Sequence, residues 1–273
     1  MSLDWGSLVP LVGFMLAVGA FAGVLAGLLG VGGGIVLVPA FYYVFAALGY
    51  DGPSIMQVCV ATSLATIVVT SWRSVAAHAK RGAVDRDVLR GFAPGIAAGA
   101  LVGALVATRL RSDVLTAIFA GLALTVALYM LVSKATWRVA DEMPTGLRRQ
   151  AYAPSVGFLS VLMGIGGGSF GVPLMTLHGM PIHRAVATAA GFGLLIAVPS
   201  VVMFLLLPAG DGRPPGTVGL VNLPAFGIIV AMTVLTAPLG AKLAHAMDPG
   251  PLKKAFAVFL LLVALNMLRR ALL

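Results

Sequence analysis

Residues 30–39 have the sequence GVGGGIVLVP, and residues 164–173 have the sequence GIGGGSFGVP. The two strings align without a gap, and the second follows the first by close to half the length of the chain. A glycine and proline break at matching places in two apolar halves is the best sequence indication of a substrate site in a secondary transporter. We therefore predict an internal repeat with these breaks at its functional centre.

The composition is that of a helical membrane protein. Hydrophobic residues make up 60% of the chain and charged residues 10%, with a mean hydropathy of +1.04. Soluble domains carry about 25% charged residues. Lys and Arg outnumber Asp and Glu by 18 to 9. Because these charges lie in short loops, they indicate a positive-inside bias, and no nucleic-acid partner is expected.

Two further features of the sequence restrict the kinds of processing and of binding site that are expected. The N-terminal sequence has no basic residue before its first apolar run, so a cleaved signal peptide is not expected. The single cysteine, Cys59, excludes an intramolecular disulfide and a cysteine metal cluster. The histidines show no metal-ligand spacing. We therefore predict no cofactor and no metal site.

Ten apolar runs divide equally between the two halves. They lie at about 8–29, 35–48, 56–77, 91–108, 114–133, 151–163, 169–180, 185–207, 219–241 and 254–268. Five segments per half is an odd number, so the copies are expected to cross the membrane in opposite directions, as an inverted repeat does. The predicted fold is an all-α polytopic membrane protein. Its predicted parts are a first transmembrane repeat (1–135), a basic cytoplasmic linker (136–150) and a second repeat (151–273).

Segment length predicts the local form of the breaks. A spanning helix needs about 17–25 residues, and the runs 151–163 and 169–180 are too short for two spans. A re-entrant hairpin with the glycines at its tip is the economical solution. For 8–29 and 35–48, a hairpin and two full spans both remain open.

Loop charges predict the orientation. The loops on one side carry 13 Lys and Arg, whereas the segments on the other side carry 5. The positive-inside rule then places both termini outside the cytoplasmic membrane. It also places the two hairpins on opposite faces, with their tips meeting near the midplane.

The breaks are candidate anion sites. A helix that begins at about Ile35 or Ser169 has unpaired N–H groups and a positive dipole end at the tip, which glycine lets a ligand approach. The alternative is close helix packing through small residues, and the duplication favours the site. The predicted binding residues are Gly32, Gly33, Gly34, Gly166, Gly167, Gly168 and Ser169, with Gly30, Pro39, Gly164 and Pro173 as structural positions.

Polar residues of the third and eighth segments extend this prediction. The candidates are Thr62, Ser63, Thr66, Thr188, Gln57, His183, Arg73 and Arg184. The hydroxyls either line the path or bond back to their own helix. Gln57 and His183 occupy equivalent positions at segment starts. The two arginines lie at a predicted membrane boundary, where they either attract anions or snorkel to lipid headgroups.

Two further features of the sequence bear on the mechanism. The sequence GGSFG at residues 167–171 fits a hydrolase nucleophile pattern, but the first copy has Ile35 where the second has Ser169. An enzyme is therefore not predicted. The apolar runs carry no central Asp or Glu, so a carboxylate proton relay is missing. We hypothesise outward transport that is driven by the membrane potential or weakly coupled.

The paired glycine motifs, the following Ala-Thr (Ala61-Thr62 and Ala187-Thr188), the chain length and the basic central loop resemble the TauE/SafE family, also called the 4-toluene sulfonate uptake permease family. The resemblance covers nearly the whole chain. It implies a bacterial-type inner-membrane exporter of sulfite or an organosulfonate such as sulfoacetate. Expected partners are that small anion and membrane lipids, with a homodimer left open. The alternatives are a channel-like pore and a non-transporting membrane scaffold.

Overall fold

The computed structural model describes residues 5–29, 33–133, 137–207, 212–246 and 249–272. These residues form ten helices. They are α1 (Trp5–Leu29), α2 (Gly34–Ala47), α3 (Ile55–Lys80), α4 (Arg86–Arg109), α5 (Ser112–Val132), α6 (Gly146–Leu162), α7 (Gly168–Leu177), α8 (Ile182–Leu206), α9 (Leu223–Ala246) and α10 (Pro249–Leu272). A two-residue antiparallel pair, β1 (Thr217–Val218) and β2 (Val221–Asn222), precedes α9. The predicted all-α fold is confirmed.

Helix length and burial divide the bundle into a centre and a rim. Five of the described helices, α3, α4, α5, α8 and α9, are long and apolar enough to cross a membrane. In the most apolar window of α3, 78% of residues are buried, compared with 22% in that of α9. Helix α3 is therefore central, and α9 lies at the rim with its apolar side chains facing outward.

Helix packing follows the same scheme in the two halves. Helix α1 packs on α9 as α4 packs on α6, α2 packs on α3 as α7 packs on α8, and α3 packs on α9 as α8 packs on α4. Extensive contacts also join α3 to α8 and α5 to α10. Exchanging each helix for its counterpart in the other half leaves these pairs unchanged. A repeated fold predicts such a scheme, while the inverted repeat itself stays a prediction.

Glycines allow the paired helices to touch backbone to backbone. A Cβ atom at Gly23 in α1 would lie 2.8 Å from Thr233 Cα in α9. A Cβ atom at Gly157 in α6 would overlap the carbonyl oxygen of Ile96 in α4. Gly157 aligns with Gly23 when the two glycine strings are superposed, and Thr233 aligns with Ile96 in the later part of the repeat. The two close contacts are therefore counterparts.

The central helices α3 and α8 run in opposite directions. Thr62, near the start of α3, is hydrogen-bonded to Asn222, which follows the end of α8. Thr188, near the start of α8, is hydrogen-bonded to Asp85, which follows the end of α3. Corresponding residues of the two helices therefore lie toward opposite ends of the bundle.

Candidate functional site

The start of α2, which follows one glycine motif, contacts the other motif inside the bundle. We call residues 30–33, between α1 and α2, the first break and residues 163–167, between α6 and α7, the second break. A Cβ atom at Gly34 would lie 2.6 Å from Gly164 O and 3.1 Å from Ile165 Cα. Ser63 of α3 donates its hydroxyl hydrogen to Gly164 O at 2.7 Å. The start of α2 therefore rests directly on the second break.

The structure describes some of the predicted glycines and both of the predicted prolines. Gly30 and Gly32 lie outside the described residues. Gly33 and Gly34 are buried, as are the second-break glycines and Gly168. Pro39 and Pro173 lie inside α2 and α7, each as the sixth residue of its helix. Since proline has no N–H, each removes one hydrogen bond from the first turns of its helix.

The second break owes its shape to one glycine. Gly164 has φ +62°, a left-handed conformation that side chains disfavour. Its N–H donates to Val161 O at 2.9 Å, and the N–H of Ile165 donates to Ser160 O at 2.9 Å. These two bonds form a Schellman motif that ends α6. The chain then turns directly into α7.

The start of α7 presents free donors. The N–H groups of residues 166–170 form no hydrogen bond with any described residue. The hydroxyls of Ser160 and Ser169 are likewise without a partner among the described residues, although these side chains are 0% and 6% exposed. Unpaired buried polar groups are costly, because water no longer satisfies them. Donors concentrated at a helix N-terminus form a ready site for an anion.

Thr62 and Thr188 make equivalent hydrogen bonds. The Oγ1 atom of Thr62 accepts from the N–H of Asn222, and that of Thr188 accepts from the N–H of Asp85, each at 2.9 Å. Asn222 and Asp85 are themselves N-caps, accepting from the N–H groups of residues 225 and 88 at 3.0 and 3.1 Å. Each threonine therefore attaches its helix to the start of another.

The surroundings of these two bonds differ in charge. Arg184 forms a salt bridge with Asp85 at 3.0 Å, with the arginine side chain 54% exposed and the aspartate 20%. The amide group of Asn222 instead donates to Pro215 O and Thr217 Oγ1, both at 3.0 Å. An ion pair is therefore present at one of these contacts, whereas the other is held by neutral groups.

The remaining predicted residues are spread over the bundle. Thr66 bonds back to Ser63 O at 2.7 Å. The amide of Gln57 donates to Ala107 O and Leu110 O at the end of α4, at 3.3 and 2.6 Å. His183 and Arg73 are exposed. None of these four side chains is hydrogen-bonded to a described residue of either break.

Sequence reasoning missed several contributors, among them Asp85, Asn222 and Ser160. Asp85 and Asn222 are separated along the chain by the same interval as Gly103 and Gly240. Aligning the loops as well as the apolar runs would have paired them. Ser160 gives no such signal, because its counterpart is an alanine.

A cavity of about 290 Å³ lies elsewhere, where the ends of α2, α5 and α10 meet. Its arginines are already engaged, since Arg111 pairs with Asp113 at 3.1 Å and Arg270 lies 5.1 Å from the centre of the Tyr43 ring. No break residue lines it. Among the described residues, no group of three His, Cys, Asp or Glu is placed to hold a metal ion.

Comparison with known proteins gives a consistent result. A family model described as "Sulfite exporter TauE/SafE" matches residues 15–267. A probable membrane transporter protein of Haemophilus influenzae is 35% identical over 253 residues, covering 92% of this chain and 96% of that relative. One of Methanocaldococcus jannaschii is 26% identical over 96% of each chain.

A third relative, from Bacillus subtilis, carries the same description. It is 31% identical over 195 residues, covering 64% of this chain and 71% of the relative. No solved structure matches the chain. The family consists of membrane transporters and is not an enzyme class, and the apolar helices described above agree with an integral membrane protein. The match to nearly the whole chain, together with the paired glycine breaks, shows that the protein belongs to the TauE/SafE family.

Proposed function

We propose that the protein exports sulfite or an organosulfonate such as sulfoacetate across the cytoplasmic membrane by alternating access. The observation that carries this proposal is the row of unpaired N–H groups at the start of α7, next to the contact between the start of α2 and the second break. No Asp, Glu, Lys or Arg occurs between residues 150 and 183. Binding there depends on neutral donors and on the positive end of the helix dipole.

The substrate class is supported by the family description, which names sulfite export. The relatives are described only as membrane transporters. A small oxyanion suits the site physically, because its oxygens accept several hydrogen bonds from a compact set of donors. Charge-assisted bonds of this kind are roughly twice as strong as neutral ones.

The proposed direction of transport rests on the charges of the protein and on the membrane potential. With both termini outside, the Asp85–Arg184 pair lies at the cytoplasmic end, where Arg73 and Arg184 attract anions toward the path. An inside-negative potential then favours export by about 2.3 kcal/mol per 100 mV for each charge. The antiparallel packing of α3 and α8 supports the inverted repeats that alternating access uses. A homodimer stays a prediction.

Efflux from proteoliposomes tests the proposal. Vesicles containing the purified protein are loaded with radiolabelled sulfite, and efflux is followed with and without an imposed inside-negative potential. We expect efflux that saturates, accelerates with the potential and is inhibited by unlabelled sulfoacetate. Equal efflux from protein-free vesicles would contradict transport and favour a scaffold role.

Counterflow separates a transporter from a pore. Unlabelled sulfite outside the vesicles accelerates the exit of label through an alternating-access transporter, because loaded carriers return in both directions. Flux that rises linearly with sulfite concentration and shows no counterflow would instead indicate a channel. The variant Gly121→Val serves as a control that should keep wild-type efflux and counterflow, since nothing lies within 4 Å of a Cβ atom at Gly121.

A further inference from the structure

The second break has a third hydroxyl beside it. Ser71 of α3 is 5% exposed and forms no hydrogen bond with a described residue. Its Oγ atom occupies the space that the Cβ atom of a side chain on Gly193 of α8 would take. The backbone nitrogen of Gly167 lies 3.7 Å from that Cβ position. A hydroxyl and a backbone N–H therefore converge where α8 has no side chain.

A large apolar side chain lies beside the start of α2, at the position where α8 has a glycine beside the second break. The residue equivalent to Gly193 is Ile67, in the alignment that superposes the two Ala-Thr pairs. Ile67 is fully buried, and its Cδ1 atom lies 2.8 Å from where a Cβ atom of Gly34 would be. A branched apolar side chain thus packs against the start of α2.

The hydroxyls are also confined to one break. Ser160 and Ser169 correspond to Ala26 and Ile35 in the alignment of the glycine strings, and Ser71 corresponds to an alanine in the alignment of the Ala-Thr pairs. The three serines near the second break therefore have apolar residues at all of their corresponding positions. An unpaired buried hydroxyl lowers stability unless a ligand engages it, so Ser160 and Ser169 indicate a ligand at this break, and Ser71 places a further hydroxyl beside it.

We infer that the anion is bound by the second break only, through the N–H groups of residues 166–170 and the hydroxyls of Ser71, Ser160 and Ser169, while the first break is a packing scaffold. The inference rests on the proposed transport of an oxyanion and specifies which groups hold it. Every donor is neutral, and the α7 dipole supplies the positive potential. Gly193 is the residue whose lack of a side chain leaves room for the Ser71 hydroxyl beside Gly167.

Hydroxyl removal distinguishes binding from structure. Ser71→Ala and Ser169→Ala are compared with Ser200→Ala, whose hydroxyl already donates to Ile196 O at 2.8 Å. The measurements are equilibrium binding of radiolabelled sulfite and sulfoacetate to purified protein, KM for efflux, and Tm without ligand. We expect each of the first two variants to lose about 10-fold or more in affinity, the range for a hydrogen bond to a charged group.

The stability readout excludes a merely structural role. The Ser169 hydroxyl is buried without a partner among the described residues, and the Ser71 hydroxyl forms no hydrogen bond with them, so Tm should stay constant or rise when either is removed. Ile67→Val at the first break should leave sulfite affinity unchanged. Unchanged affinity in both serine variants, or an equal loss in Ile67→Val, would overturn the inference while leaving transport intact. Wild-type protein that binds and transports neither anion would overturn the proposed function itself.

Discussion

The contacts at Thr62 and Thr188 are alike in geometry and different in charge. Each threonine oxygen accepts an N–H hydrogen bond of 2.9 Å from the N-cap of another helix. At Thr188 that N-cap is Asp85, paired with Arg184, whereas at Thr62 it is Asn222, bonded to neutral groups. Both halves therefore contain the hydrogen bond, whereas only one of them adds an ion pair to it. The proposed transport predicts that an anion competes with Asp85 for Arg184, whereas the hydrogen bonds at Asn222 involve neutral groups only.

The largest expected effect concerns the shared helix packing. Gly23→Val and Gly157→Val should each strongly reduce the yield of folded protein, because the new side chain meets backbone atoms of a neighbouring helix. Overpacking costs about 1–3 kcal/mol where side chains can shift, and fixed backbone raises the cost. Monodisperse yield in detergent and Tm measure the effect.

Gly13→Val provides the matched control for this pair, since nothing lies within 4 Å of a Cβ atom at Gly13. It should fold normally. If Gly157→Val is severely destabilising while Gly23→Val is tolerated, the two glycine contacts are not equivalent. The two halves then do not share their helix packing.

A smaller effect tests the threonine bonds themselves. Thr62→Val and Thr188→Val keep the shape of the side chain but remove the acceptor, which leaves the N–H of Asn222 or Asp85 unpaired. We expect each to lower the free energy of unfolding by about 1 kcal/mol, and both by similar amounts. Thermal unfolding of the purified variants measures this.

Thr66→Val is the control for that experiment, because its hydroxyl donates within α3, to Ser63 O. It should change Tm less than either of the other two variants. A loss confined to Thr188→Val would mean that stability depends on the charged end alone, contrary to the equal geometry of the two bonds.

The smallest effect on stability should come from removing the charge. Asp85→Asn keeps a capping side chain but makes this end resemble Asn222. A salt bridge this exposed contributes less than about 1 kcal/mol, so Tm should barely move. Sulfite efflux, in contrast, should lose the part of its salt dependence that arises from competition for Arg184.

Arg184→Gln should reproduce the efflux phenotype of Asp85→Asn if the pair acts as a unit. If the double variant has the same salt dependence of efflux as either single variant, Asp85 and Arg184 act as a pair, because the effects of coupled residues are not additive. Wild-type salt dependence in all three would show that the charge difference has no part in transport.

Much of the fold was predictable because hydropathy is a local property. The run predicted at 169–180 is α7 at Gly168–Leu177, and the run at 114–133 is α5 at Ser112–Val132. The start of α6 was harder, since it begins at Gly146 inside the predicted linker. Its first turns include Arg148 and Arg149, and a search for apolar runs does not register such residues.

The site was predictable in outline. The repeated glycines singled out two helix starts, and Gly34, at the start of α2, lies against Gly164 of the second break; that both breaks bind the substrate stays a prediction. The sequence also singled out Ser169. It could not connect Ser71 or Gly193 to the second break, because their relation depends on how α3 crosses α8.

Sequence alone therefore determined the membrane class, the ten apolar segments and the duplicated break, since each follows from residue type and spacing along the chain. Only the tertiary structure decided which hydroxyls gather at the second break and that Asp85 pairs with Arg184, a residue far away along the chain. It also decided that Ile67 packs against the start of α2, whereas Gly193 leaves room for the Ser71 hydroxyl beside the second break. These features depend on contacts between distant segments, and the packing of α3 against α8 brings those segments together.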